Sequence, residues 1–153
     1  MSSQTLPVQS LKYELQIPID APQDVVWKAL TEETNAWWLP DFHMVSADSV
    51  VSLQACAGGH LIESKADGGS LLWYTVQMCV PEESLHLVGF MAPEWGGPAT
   101  TMLELSLQET DTGTLLVVRD ALFGQVTEST ARSLEEGWGK LFGEGLRGHA
   151  EAG

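Results

Sequence analysis

Asp120 is the residue of this sequence that is the strongest candidate for acid–base chemistry. Asp120 follows Leu116 and Val118 at two-residue intervals within the segment 114–122. Because alternate side chains of a β-strand share a face, Asp120 should point inward with these two apolar residues. A carboxyl group at the rim of an apolar cavity has a raised pKa and can act as a general acid or base. A structural carboxylate, hydrogen-bonded to the backbone or paired with an arginine, suits the same position.

Aromatic side chains are the second group of candidates. Each combines a large apolar area with a polar tip, which suits the binding of a mostly apolar, planar molecule. The candidates for lining a pocket are Trp37, Trp38, Tyr74 and Trp138. All of them are equally suited to filling a core. Trp95, in the loop 92–99 rich in proline and glycine, is either a lid or an exposed side chain.

Other catalytic signatures are missing from the sequence. The four histidines lack HxH or HxxxH spacing, so no metal site is expected. Cys56 and Cys79 are isolated, no GxSxG motif occurs, and the glycine pairs do not form a phosphate-binding loop. We therefore expect no cofactor, and a non-catalytic role is favoured over an enzymatic one.

The periodicity of apolar residues predicts the elements that position these candidates. The segment 11–19 alternates as a half-buried strand, and two short helices follow it before Pro40. Turn residues then separate predicted strands at 60–66, 70–80, 84–91, 101–109 and 114–122. Since these strands follow one another through short turns, their sheet should be antiparallel.

A helix is predicted over 127–149. Leu134, Trp138, Leu141 and Gly145 lie on one stripe of this helix at 100° per residue. Five glycines oppose the prediction, because each costs about 0.5–1 kcal/mol relative to alanine. The sheet must therefore stabilise this helix. A glycine on the stripe either allows close approach or leaves open volume.

Several short motifs resemble one known superfamily. They are Ile19-Asp20-Ala21-Pro22-Gln23-Asp24-Val25-Val26-Trp27-Lys28-Ala29-Leu30-Thr31, Trp37-Trp38, Gly58-Gly59, Gly113-Thr114-Leu115-Leu116, and Glu136-Gly137-Trp138 with Leu141. Together they resemble the START-like (SRPBCC) superfamily, and within it the branch named after the activator of heat-shock-protein-90 ATPase. The resemblance spans about residues 11–149, with tails at 1–10 and 150–153.

This resemblance implies an α+β helix-grip fold. A curved antiparallel sheet of about six to seven strands would wrap the long C-terminal helix, with two short helices after the first strand. Members of the superfamily hold apolar molecules between sheet and helix. Some are cyclases, dehydratases or hydrolases, and members of the named branch stimulate a chaperone.

Composition limits the partners. The chain has 153 residues, which suits one domain, and its 21 acidic against 7 basic residues give a formal net charge of −14. The sequence therefore predicts neither nucleic acids nor anionic membranes as partners, since binding to either requires clusters of Lys and Arg. Two lone cysteines and the absence of a long apolar run favour the cytoplasm.

Three functions follow as hypotheses. The first is the binding of a small hydrophobic molecule in a cavity of about 300 Å³ or more between sheet and helix. The second is a cyclase, dehydratase or hydrolase that uses Asp120 as acid or base, and the third is a chaperone-associated or regulatory module with a protein partner. The predicted ligand-binding residues are Trp37, Trp38, Tyr74, Val76, Met78, Leu103, Leu105, Leu116, Val118, Asp120, Trp138 and Leu141.

Overall fold

A computed structural model describes residues 2–153 and shows one antiparallel sheet against a C-terminal helix. The seven strands found in this range have the order β1-β7-β6-β5-β4-β3-β2. Their bounds are β1 (Gln9–Ile19), β2 (Val50–Leu53), β3 (His60–Ser64), β4 (Ser70–Val80), β5 (Ser84–Met91), β6 (Ala99–Thr110) and β7 (Gly113–Gly124). Each strand after β2 pairs with its predecessor in the chain, and β1 closes on β7. The predicted α+β helix-grip fold is confirmed.

Helices occupy one side of the sheet. Those after β1 are α1 (Gln23–Glu32) and α2 (Thr34–Trp37). Short 3-10 turns occur at Pro40–Phe42 and Pro93–Trp95. The terminal helix consists of α3 (Glu128–Lys140), a π-helical segment (Leu141–Leu146) and α4 (Arg147–Ala152). It is continuous through its glycines, because its N-terminus is capped by Thr127 and its apolar side is buried.

The core lies between this terminal helix and the concave face of the sheet. Leu141 and Leu146 are fully buried, and they belong to the same cluster as Leu103 and Leu116 on the central strands. Burial of this stripe stabilises a helix that its glycines would leave marginal in isolation.

An irregularity in β4 reverses one part of the predicted alternation. Val76 pairs with Leu87, but the next pair is Met78 with His86, so Gln77 is an inserted residue. Such a bulge moves the following side chains to the opposite faces of the sheet. Met78 is therefore 51% exposed on the outer face and does not line the interior, contrary to its predicted position.

Candidate functional site

An apolar cavity of about 160 Å³ lies between α3 and the adjacent ends of β4, β5 and β6. Its floor contains the buried residues Tyr74, Thr101 and Trp138, whereas Trp95, 46% exposed, marks its mouth. The complete wall consists of Met44, Leu71, Leu72, Trp73, Tyr74, Phe90, Met91, Trp95, Thr101, Leu134 and Trp138. A wall with this composition suits a small ring system with few polar groups.

The deep interior between sheet and helix is filled, which corrects the expected position and size of the cavity. A void of only about 20 Å³ remains there. Aromatic packing occupies the space: the ring centroids of Trp37 and Phe142 lie 6.0 Å apart, and those of Trp138 and Phe142 lie 5.5 Å apart in a stacked arrangement. The larger cavity lies at one end of this packed region and is smaller than the expected 300 Å³ or more.

The predicted ligand-binding residues separate into groups. Tyr74 and Trp138 line the larger cavity. The residues around the small void are Trp37, Trp38, Leu103, Leu105 and again Trp138. The residues in the packed core are Val76, Leu116, Val118 and Leu141. The structure thus brings only two of the predicted aromatic residues to the cavity.

The indole nitrogens of the adjacent residues Trp37 and Trp38 both donate hydrogen bonds within the protein. The indole nitrogen of Trp37 donates to the Ala29 carbonyl at 2.7 Å, and that of Trp38 donates to the Phe42 carbonyl at 3.0 Å. Both side chains are buried. Their hydrogen bonds fix the short helices against the core, which suits a structural role.

Asp120 lies immediately behind the cavity wall and is 3% exposed. One carboxylate oxygen accepts a hydrogen bond from the Tyr13 hydroxyl at 2.7 Å, and the other accepts from the Thr101 hydroxyl at 2.7 Å. The Tyr74 hydroxyl lies 3.3 Å from the Thr101 hydroxyl. These contacts form a chain that connects a buried carboxyl group to two residues of the cavity floor.

Burial and charge shift the pKa values of the groups in this hydrogen-bonded chain. Burial raises the pKa of Asp120, and the hydrogen bonds from Thr101 and Tyr13 oppose that effect only in part. Burial, together with the negative charge of Asp120, also raises the pKa of Tyr13 and of Tyr74. Both phenols therefore keep their protons and can donate hydrogen bonds at neutral pH.

We expect the stability advantage of wild-type protein over the Asp120→Asn variant to decrease as pH rises. A carboxyl group whose folded pKa is raised adds the most stability below its unfolded pKa, about 3.9, and loses it as pH rises through the folded pKa. Urea unfolding of both proteins between about pH 4 and pH 8 measures this difference. A difference that stays constant or grows with pH would contradict the raised pKa.

A second buried carboxylate, Glu63, accepts hydrogen bonds from residues on one side of the cavity mouth. It is 0% exposed and accepts hydrogen bonds from the backbone nitrogens of Met44 and Val45, the latter at 2.7 Å. The Ser49 hydroxyl and the Trp73 indole nitrogen, at 3.1 Å, also donate to it. Burial raises the pKa of Glu63, but these hydrogen bonds outweigh burial and hold the pKa below its usual range. Met44 and Trp73 both belong to the cavity wall.

Glu63 was not among the predicted site residues, although the sequence contains a signal for it. In β3 it follows Leu61 by two residues, so the two side chains share the inward face. An acidic side chain that points into the core requires several hydrogen-bond donors to remain charged. Four donors are supplied by residues 10 to 19 positions away, on either side of Glu63, and only the folded chain shows them.

Residues 2–153, which the structure describes, lack two further features. Within this range no group of three or more His, Cys, Asp or Glu side chains is arranged to hold a metal ion. No helix in the same range has both the length and the apolar character needed to cross a membrane.

Comparison with known proteins shows the family. The family model described as Activator of Hsp90 ATPase homolog 1-like protein matches residues 20–151. No curated protein matches the chain.

Solved structures share the fold at low sequence identity. The crystal structure of protein MLL2253 from Mesorhizobium loti is 21% identical with a TM-score of 0.63, over 90% of this chain and 94% of that one. An AHSA1-like protein from Aeromonas hydrophila is 15% identical with a TM-score of 0.60, over 93% of each chain. DynU16, from the dynemicin biosynthetic locus, is 21% identical with a TM-score of 0.59, over 90% of this chain and 46% of that one.

The matched range includes both short helices, all strands after β1 and nearly all of the terminal helix. The match agrees with the resemblance carried by the sequence motifs. The chain belongs to the family of Activator of Hsp90 ATPase homolog 1-like proteins.

Proposed function

We propose that this protein binds a small, mostly apolar molecule in the cavity between α3 and the ends of β4, β5 and β6. The observation that carries the proposal is the cavity wall, in which apolar and aromatic side chains surround a few buried polar groups. Similarity to DynU16, from the dynemicin biosynthetic locus, agrees with a role in small-molecule chemistry.

The volume limits the ligand. A cavity of about 160 Å³ accommodates a single ring, since cavities of about 150 Å³ bind benzene. Any larger part of the molecule would extend past Trp95, which is exposed at the mouth. The proposed ligand is therefore a compact aromatic or alicyclic molecule, or a longer molecule with such a group at one end.

In this proposal Asp120 is a positioning residue. Thr101 stands between its carboxylate and the cavity, and Asp120 itself is not part of the cavity wall. Among the described residues of the chain, the wall includes no carboxyl or imidazole side chain. Acid–base catalysis needs such groups in contact with a substrate atom, so binding is the function that the geometry supports better.

The test is a binding titration with the neutral fluorescent probe N-phenyl-1-naphthylamine. Substitution Leu134→Trp fills the cavity from α3, and we expect it to weaken probe binding at least about tenfold, or 1.4 kcal/mol. Met102→Trp is the matched control, because it adds a similar volume on the exposed outer face of β6. Equal affinity of wild-type protein and Leu134→Trp would exclude this cavity as the binding site.

Protein binding is a second candidate function, favoured by a cluster on the outer face of the sheet. Phe90, Met102 and Phe123 are exposed there, and Thr100 pairs with both Phe90 and Phe123 across β5, β6 and β7. Exposed apolar clusters of this kind occur at protein interfaces. If the cluster docks on a chaperone, the protein should stimulate the ATPase of purified Hsp90 and Phe123→Ser should abolish the stimulation. An unchanged ATPase rate would exclude docking of this cluster on Hsp90.

A further inference from the structure

The strand β1 (Gln9–Ile19) leaves one edge of the sheet open. It lies at one end of the strand order and pairs only with β7. Among residues 2–153, the backbone hydrogen bonds of β1 all belong to this ladder. Since the N–H and C=O groups of an antiparallel strand point alternately to its two sides, about half of those in β1 point away from β7. Such an edge is a template for pairing with another strand.

The opposite edge of the sheet, formed by β2, is short and covered. Its Val51 backbone nitrogen donates to the side chain of Asn35 on α2 at 3.0 Å. Short strands and covering groups are means by which proteins prevent a sheet edge from pairing with other molecules. β1 is 11 residues long, and the nearest backbone group bound by a side chain is the nitrogen of Asp20, just beyond its end. Only the β1 edge is therefore long and open in the described chain.

The side chains of β1 are arranged symmetrically about Tyr13. Lys12 and Glu14 flank it and are exposed on the outer face of the sheet. Leu11 and Leu15 lie one position further out and are half-buried on the inner face. The strand thus carries one basic and one acidic residue at equal distances from its midpoint. An antiparallel copy of the same strand, centred on Tyr13, would meet it with opposite charges and matching apolar side chains.

We infer that β1 pairs antiparallel with β1 of a second copy of this chain, about a two-fold axis at Tyr13. In this register Lys12 lies opposite Glu14 of the partner subunit, and the symmetry repeats the pair. Opposite charges directly across a pair of strands are favourable, whereas like charges are unfavourable. The paired region extends over residues 9–17 and ends before Pro18, which has no N–H group to donate to a ladder.

Net charge limits the strength of this dimer. Each copy has a formal net charge of −14, so repulsion between the copies opposes association. We therefore expect a reversible dimer with a dissociation constant of about 100 µM. The inference is independent of ligand binding, because the cavity wall contains no residue of β1.

Sedimentation velocity of the full chain between about 10 and 500 µM tests the inference. Wild-type protein should change from monomer to dimer across this range. A protein that remains monomeric at the highest concentration would overturn the inference.

Two charge reversals test the register. Lys12→Glu puts carboxylates opposite one another and Glu14→Lys puts ammonium groups opposite one another, so each should raise the dissociation constant at least about tenfold. Glu14→Lys also lowers the net repulsion between copies, so a weaker dimer cannot result from net charge. In an equimolar mixture of the two variants, carboxylates of one lie opposite ammonium groups of the other. A heterodimer with about the wild-type affinity should therefore form.

Two further variants are controls for the position of the contact. Lys28→Glu makes the same change in net charge as Lys12→Glu, but on the exposed side of α1, and should leave the dimer largely intact. Phe90→Ser removes an apolar side chain from the outer face of the sheet and should have no effect. Thermal unfolding checks that each variant is folded. Loss of the dimer in Phe90→Ser, or failure of the mixed charge variants to associate, would overturn pairing through the β1 edge.

Discussion

Substitution Glu63→Gln is expected to lower the free energy of unfolding by about 2–4 kcal/mol. Glutamine has nearly the same size but replaces one acceptor oxygen with an NH₂ donor. That donor would face donors already directed at the site, among them the backbone nitrogens of Met44 and Val45 and the Trp73 indole. Buried donors that face one another lose their hydrogen bonds without compensation from water. Urea unfolding at pH 7 measures the loss.

Glu104→Gln is the matched control for this prediction. Glu104 is partly exposed and lies 3.6 Å from Arg119, a surface pair worth about 0–1 kcal/mol. The effect at Glu63 should also depend on pH. Its folded pKa is lowered, so its contribution is present above the unfolded pKa of about 4.3 and is lost as pH falls through the folded value. A loss at Glu63 no larger than that at Glu104 would contradict a role for the buried carboxylate.

The same substitution should widen or disorder the cavity mouth. Glu63 connects Trp73 on β4 to Met44 in the segment before β2, and both residues belong to the cavity wall. Trp73 also packs edge-on against Trp38 at 5.3 Å, so its ring has a second support. We therefore expect probe binding to weaken in Glu63→Gln while the packed core remains intact.

Substitution Gly145→Ala should destabilise the protein by about 1–3 kcal/mol, although alanine is the better helix former. Gly145 lies in the π-helical segment, where the terminal helix contacts the C-terminal end of α2. A Cβ atom at this position would lie 2.4 Å from the carbonyl oxygen of Trp37, well inside van der Waals contact. Backbone atoms must move apart to accept it, which disturbs the core beneath. Thermal unfolding of the variant measures the effect.

Gly139→Ala, in the same helix, is expected to have the opposite sign. A Cβ atom there meets nothing within 4 Å, so only the helix propensity changes, with a gain of about 0.5–1 kcal/mol. The two substitutions are chemically identical and differ only in what surrounds the added methyl group. If Gly145→Ala were as stable as Gly139→Ala, the close approach of the helix to Trp37 would be wrong.

Local periodicity was sufficient to predict the order of the elements and the inward position of Asp120. The strands at 70–80, 84–91 and 114–122 lie at or close to the observed positions, because alternation is a property of neighbouring residues. The stripe of Leu134, Trp138, Leu141 and Gly145 likewise follows from helical spacing alone, and Trp138 and Leu141 are buried as that spacing predicts.

Partners from distant parts of the chain decided what these residues can do. Asp120 accepts from Tyr13, which is 107 positions away in the sequence, and no local pattern contains that contact. The inserted Gln77 moves Met78 outward, because a bulge depends on the pairing of β4 with β5. The four donors to Glu63 likewise come from two segments on either side of it.

The sequence by itself therefore determined a sheet that holds a glycine-rich helix, with a carboxylate on the inner face. Only the tertiary structure decided that the aromatic residues fill the centre and that the cavity lies at the end bounded by α3. The physical reason is that a cavity is the volume left after all side chains have packed, and its size depends on every contact together. Periodicity assigns each side chain to a face, whereas packing decides whether that face encloses space.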